Sequence, residues 1–97
     1  MTVYTVTQMR FTDRETYDRY QSKFMGVFSQ FDGQVVAADE APKVLEGEWG
    51  YEKVVILAFP SEEAFHAFAM SPAYQEISKD RVAATESTAL LVQGIGG

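Results

Sequence analysis

Cysteine is absent from this chain of 97 residues, which excludes disulfides, thiol nucleophiles and cysteine-based metal sites. Histidine occurs once, as His66, and asparagine not at all. A single imidazole rules out the usual multi-histidine metal centres. Basic residues are few: eight Lys and Arg face fourteen Asp and Glu, for a formal net charge of −6. They are also scattered, and binding phosphates needs them clustered, so nucleic acid is not an expected partner. No apolar run approaches the ~20 residues that span a bilayer. The opening "MTVYTVTQMR" lacks the charged start and apolar stretch of a secretory leader, so a cytoplasmic protein is expected. Phosphate loops, dinucleotide fingerprints, the nucleophile-elbow pattern and zinc-protease helices are all missing.

What is present is an ordinary globular composition, 46% hydrophobic and 23% charged, in a length that suits one domain spanning residues 1–97. A domain this small is surface-rich and gains by burying apolar area against a second copy. Two periodicities alternate along the chain. Residues 2–10, rich in Thr, Val and Tyr, read as a strand. A helix follows. Thr12 and Glu15 have capping-box spacing, with Asp13 an equal candidate for the cap. Its apolar stripe is Tyr17, Tyr20, Phe24, Val27, Phe28 and Phe31. Gly33 sits where a left-handed residue would end the helix.

Residues 34–39 form a short strand, and the loop "EAPKVLEGEWGYE" leads to the strongest strand signal, "KVVILAF" at 53–59. Ser61 is a good N-cap for a helix reaching Met70, with Glu62 and Glu63 in its first turn. Ser71-Pro72 restarts the helix, with Ser71 as cap and Pro72 at the first position, and this piece runs to about Val82. A last strand spans 87–95. The order β-α-β-β-α-β predicts an α+β, ferredoxin-like fold: a four-stranded antiparallel sheet with its helices on one face. On the third strand Val54, Ile56 and Ala58 point one way and Val55, Leu57 and Phe59 the other, so both faces are apolar. Helices cover only one. The other is expected to meet the sheet of a second copy, giving a homodimer.

"VLEGEW", "KVVILAFPSEEAFHAF", "SPAYQEI", Arg81 and "STALLVQG", in that order, closely resemble the domain-of-unknown-function family 1330, together with the "Tyr17-x-x-Tyr20" helix and the "Phe31-Asp32-Gly33" turn. The resemblance covers essentially the whole chain. It implies small bacterial proteins of the dimeric α+β-barrel group, whose wider membership includes cofactor-free quinol-type monooxygenases, haem-degrading monooxygenases and muconolactone-type isomerases with sites between sheet and helices. The family itself brings no assigned reaction and no catalytic residues. Haem-degrading members use an Asn, a Trp and a His. Here asparagine is missing and Trp49 lies in a loop, so that chemistry is disfavoured.

His66 falls roughly 130° from the centre of the stripe formed by Ala64, Phe65, Phe68 and Ala69, on the side of Glu62, and is expected to face water. The loop "EGEWGYEK" concentrates Glu46, Glu48, Trp49, Tyr51 and Glu52 beside two glycines. Such a loop lines the mouth of a small-molecule pocket, or Trp49 packs on a partner or over a sheet edge. Its carboxylates have no recognisable metal-ligand spacing, so no metal is expected. Arg81 can bind a ligand's carboxylate, or form a structural salt bridge to Glu46 or Glu48. Tyr74 and Tyr17 suit core positions with a polar tip. Thr5, Thr7 and Gln8 hold a ligand if they point inward, and the face each occupies stays open. The candidate ligand-binding set is therefore Trp49, Arg81, Glu46, Glu48 and Tyr74, with no cofactor required. Two functions fit: a cofactor-free enzyme of monooxygenase or isomerase type on a small apolar or aromatic compound, or a noncatalytic small-molecule-binding or stress-associated protein.

Overall fold

Seven elements run through the computed structural model, which describes residues 1–95: β1 (Val3–Phe11), α1 (Arg14–Phe28), β2 (Gln34–Asp39), β3 (Lys53–Phe59), α2 (Glu62–Ala69), α3 (Pro72–Ala84) and β4 (Thr85–Gln93). The strands form one antiparallel sheet in the order β2-β3-β1-β4, the ferredoxin-like arrangement. Ser71 splits the second helical segment in two, as its cap chemistry predicts. Its hydroxyl accepts from Tyr74 N (3.1 Å) and donates to Phe68 O (2.8 Å), closing one helix while opening the next. Among the described residues no helix is long and apolar enough to cross a membrane.

One open choice is decided and two boundaries differ from the sequence reading. The cap of α1 is Asp13, whose carboxylate accepts from Thr16 N (3.2 Å) and Thr16 Oγ1 (2.6 Å). β4 begins at Thr85 because α3 runs on to Ala84, whose carbonyl accepts from both Thr12 N (2.8 Å) and Asp13 N (3.2 Å). The turn before α1 thus supplies the donors that a helix C-terminus otherwise lacks. Gly33 is not left-handed: among the described residues Gly47 alone has a positive φ, at 82°. Helix α1 instead ends through Ser29 in the right-handed region, whose N–H reaches Met25 O and Val27 O. Gly33 is required for room, since a Cβ there would lie 2.7 Å from Phe28 Cζ and 2.9 Å from Phe59 Cε1.

Alternation sorts the strand residues onto two faces. Val3, Thr5, Thr7 and Met9 of β1, with Lys53, Val55, Leu57 and Phe59 of β3, lie in register on the helix side. Phe28, Phe59 and Phe68 form a buried aromatic centre there, with ring centroids 5.2–5.9 Å apart. On the opposite face Tyr4, Val6, Val54, Ile56, Leu90 and Val92 make an apolar strip across three strands. Leu90 stays 60% exposed and Val92 39%. Both faces of β3 are apolar, as its alternation requires, and one of them has no helix over it.

Candidate functional site

Helices α1 and α3 lie side by side on the sheet, with Tyr17, Tyr20 and Phe28 of α1 and Ala84 of α3 buried against it. A cavity of about 740 Å³ remains between the helices and the strands. Its floor includes Thr5, Thr7 and Met9 from β1 with Val55 and Leu57 from β3, and its roof includes Tyr20, Phe24, Phe68 and Tyr74. The strand period that sends Val3 and Met9 into the core sends Thr5 and Thr7 the same way, which settles their face. Gln8 points to the other side.

Arg81, Thr5, Thr7 and other polar side chains line this mostly apolar space, and two polar features in it are tied by hydrogen bonds. The first is a pair of phenols: Tyr20 Oη and Tyr74 Oη are 3.0 Å apart and hydrogen-bonded to one another. Burial, then the neighbouring Tyr74 phenol, pushes the Tyr20 hydroxyl well above its ordinary titration range, while the Arg81 guanidinium acts in the opposite sense. Tyr20 is therefore a neutral hydrogen-bonding group at physiological pH. The second feature is Lys53, which is only 5% exposed. Its Nζ donates to Gln21 Oε1 (2.8 Å), lies 4.9 Å from the centre of the Tyr17 ring and stands 3.7 Å from Glu40 Oε2. Arg14 holds Glu40 through a two-pronged contact of 2.7 and 3.0 Å. That hydrogen bonding, with the nearby charges of Arg14 and Lys53, keeps the Glu40 carboxyl below its usual range.

The sheet divides the candidates named from sequence. Tyr74 and Arg81 line the cavity. They are seven residues apart on α3, about two turns, and so share one face of the helix. Trp49 does not line it: its Nε1 donates to Gln8 Oε1 (2.6 Å), on the sheet face turned away from the helices. Tyr51 lies beside it, with ring centroids 6.0 Å apart, and Arg10 from the same face stands 5.6 Å from the Tyr51 ring. Glu46 and Glu48 are exposed in the same loop, and Arg81 forms no ion pair with either among the described residues. Glu52 is structural, since its Oε1 accepts from Phe11 N (3.0 Å) and its N–H donates to Met9 O (2.8 Å). His66 faces water on α2, as expected, while Glu62 accepts from Gln93 Nε2 (3.3 Å).

Lys53 and Tyr20 were not among the candidates. Lys53 had a readable signal: it opens an otherwise apolar strand in the same alternation as Val55, Leu57 and Phe59, which places a charge on the buried side. Tyr20 had none beyond its place in the helix stripe, because phenols in that stripe look like core. Among the described residues no three carboxylates or imidazoles converge on one point.

The fold defines a small ferredoxin-like α+β protein, with a cavity between sheet and helices. The chain belongs to the family described as domain of unknown function DUF1330, whose model matches residues 2–95. No curated protein matches it. In fold it is similar to a protein of unknown function from Rhodopseudomonas palustris, RPA0582, with TM-score 0.83 and 23% identity over 99% of this chain and 84% of that one. It is also similar to SnoaB, a cofactor-independent oxygenase from Streptomyces nogalater, with TM-score 0.73 and 13% identity over 99% and 95% of the two chains. A dimeric ferredoxin-like protein of unknown function from Jannaschia sp. superposes with TM-score 0.73 at 14% identity, over 97% of this chain and all of that one (100%).

Proposed function

We propose that this chain is a small enzyme that works without a bound cofactor, of monooxygenase or isomerase type, on a compact apolar or aromatic compound held between sheet and helices. The observation that carries this reading is the cavity of about 740 Å³, walled by Phe, Tyr, Met, Val and Leu side chains. Small-molecule sites commonly enclose about 300–1,000 Å³, with mostly apolar walls and a few placed polar groups. The likeness in fold to a protein described as a cofactor-independent oxygenase supports the reaction class. Here the apolar walls take the body of the substrate, and Lys53, Arg81 and the phenol pair stabilise negative charge on it. In the oxygenase form, a substrate methylene next to a phenol ring loses a proton to water at the open side of the cavity, and the carbanion passes its electrons to dioxygen, the peroxide taking a proton back from water. The resulting hydroperoxide loses water to leave a carbonyl. Methylene plus dioxygen gives carbonyl plus water, so no external reductant enters.

One feature favours a second reading, a noncatalytic small-molecule-binding or stress-associated protein. None of the described cavity residues is a carboxylate or an imidazole, the commonest general bases. Oxygen uptake and product analysis with hydroxyanthrones, which carry a methylene beside a phenol ring, under air and under nitrogen, separate the cases. Turnover under air alone supports an oxygenase, and turnover in both atmospheres an isomerase. Saturable binding without conversion favours the second reading, and absence of any binding refutes both. The assembly belongs to the proposal as well: a homodimer in which the apolar strip around Val6, Val54 and Ile56 packs on the same strip of a second copy. A solution mass of one chain would overturn it.

A further inference from the structure

We infer that the cavity takes an aromatic carboxylate and that Arg81 is the group that anchors it; this rests on the reading of the cavity as a small-molecule site. The first support is charge. The chain as a whole carries a net −6, yet the described residues lining the cavity include two charged side chains, Lys53 and Arg81, both positive. An anion is drawn to the interior of a protein whose surface repels it.

The second support is the carboxylate partner of each arginine. Of the four arginines, three meet carboxylates: Arg10 with Glu86 (3.6 Å), Arg14 with Glu40 (2.7 Å) and Arg19 with Asp80 (2.7 Å). Arg81 has no carboxylate partner among the described residues, and it is the arginine that lines the cavity. A guanidinium presents N–H groups in a planar fork that matches a carboxylate. Lys53 is differently placed, since Gln21 Oε1 and Glu40 already hold its ammonium.

The phenol pair adds a further donor. Two hydroxyls hold two protons, and their mutual bond of 3.0 Å uses one. The other has no protein acceptor among the described residues and is free for a ligand oxygen. Tyr20 also feels the charge of Arg81, so guanidinium and spare phenol proton act on the same part of the cavity. The ligand they select is planar and apolar in its body, to lie among Phe24, Phe68 and Leu57, and ends in an oxyanion that accepts without donating.

The test uses 2-naphthoate and its neutral near-isostere 2-naphthamide as probes, titrated calorimetrically into the whole protein and into Arg81→Met and Arg81→Lys. The expected result is saturable naphthoate binding that weakens about 10–100-fold in Arg81→Met, the range for losing a charge-assisted hydrogen bond. Naphthamide binds weakly and equally to both proteins, and Arg81→Lys falls between. Arg81→Met melts with the unsubstituted protein, because no protein carboxylate loses a partner. Equal affinity for the two probes, or naphthoate binding unmoved in Arg81→Met, overturns the inference and leaves the cavity reading standing. Failure of both probes to bind the unsubstituted protein overturns the cavity reading with it.

Discussion

Replacing Gly33 pits backbone entropy against packing, and the distances say which wins. Its backbone is not left-handed, so alanine is allowed there, and stiffening the unfolded chain alone would stabilise by about 0.4–1 kcal/mol. Against that, the new Cβ would sit 2.7 Å from Phe28 Cζ, 2.9 Å from Phe28 Cε1 and 2.9 Å from Phe59 Cε1. Both rings are almost fully buried, and each is wedged edge-to-face against the other and close against Phe68. Neither can swing aside without moving a third ring. Overpacking of this kind costs about 1–3 kcal/mol. The net expectation for Gly33→Ala is a loss of about 1–2 kcal/mol. For a domain near 100 residues that corresponds to a fall in Tm of roughly 4–16 °C. Gly26→Ala is the internal control: it lies in α1 with nothing within 4 Å of the place its added methyl would take, and should gain about 0.5–1 kcal/mol from helix propensity. Thermal and urea melts of the two variants give the comparison. Gly33→Asn separates the possible causes, because a left-handed cap accepts Asn better than Ala, whereas a crowded site rejects the larger side chain more strongly. Stabilisation by Gly33→Ala, or Asn tolerated better than Ala, would refute the packing argument.

Acid should loosen the fold from a defined set of carboxylates. Asp13, Glu40 and Asp80 all titrate below their ordinary values because of hydrogen bonds from Thr16, Arg14 and Arg19 respectively. Folded-state values lowered in this way add stability that is present above the unfolded values of 3.8 for Asp and 4.5 for Glu, and is lost as pH falls through the folded ones. Melts between pH 7 and about pH 3 should therefore show a loss beginning near the unfolded values, smaller in Glu40→Gln; a flat profile contradicts it. Ultraviolet titration should show one of the five tyrosines resisting ionisation well above the ordinary value of 10.0, and Tyr20→Phe should remove that late component. If Tyr20→Phe leaves the curve unchanged, burial of that phenol is wrongly assigned. Ile56→Glu puts a charge in the outward apolar strip and should lower the solution mass to one chain while leaving naphthoate binding intact; an unchanged mass removes that strip as the interface. Trp49, the single tryptophan, should report the same change in its emission and stay nearly silent to ligand, because the sheet stands between it and the cavity.

Element order and the two apolar faces of β3 were legible because periodicity encodes them directly: a period of two on 53–59 and of three to four on α1. Periodicity is relative, however. It says that Thr5 and Thr7 share a face and that Gln8 does not, but which face meets the helices follows only once Val3 and Met9 are known to be buried. The loop 40–52 carries no period at all. Its dense aromatics and carboxylates looked like a pocket mouth, yet a single hydrogen bond from Trp49 to Gln8 commits that end of the loop to the opposite side of the sheet. Helix α3 behaved differently, because seven residues between Tyr74 and Arg81 bring the two to one face whichever way the sheet is turned. Residues grouped by spacing stayed together in the fold, and residues grouped only by adjacency in a loop did not. A sheet is one residue thick, with side chains leaving it in opposite directions. No compact ligand held beneath Tyr74 and Arg81 also touches Trp49 of the same chain, so any ligand of the cavity would meet the phenol pair, Lys53 and Arg81, while the tryptophan stands on the other face of the sheet.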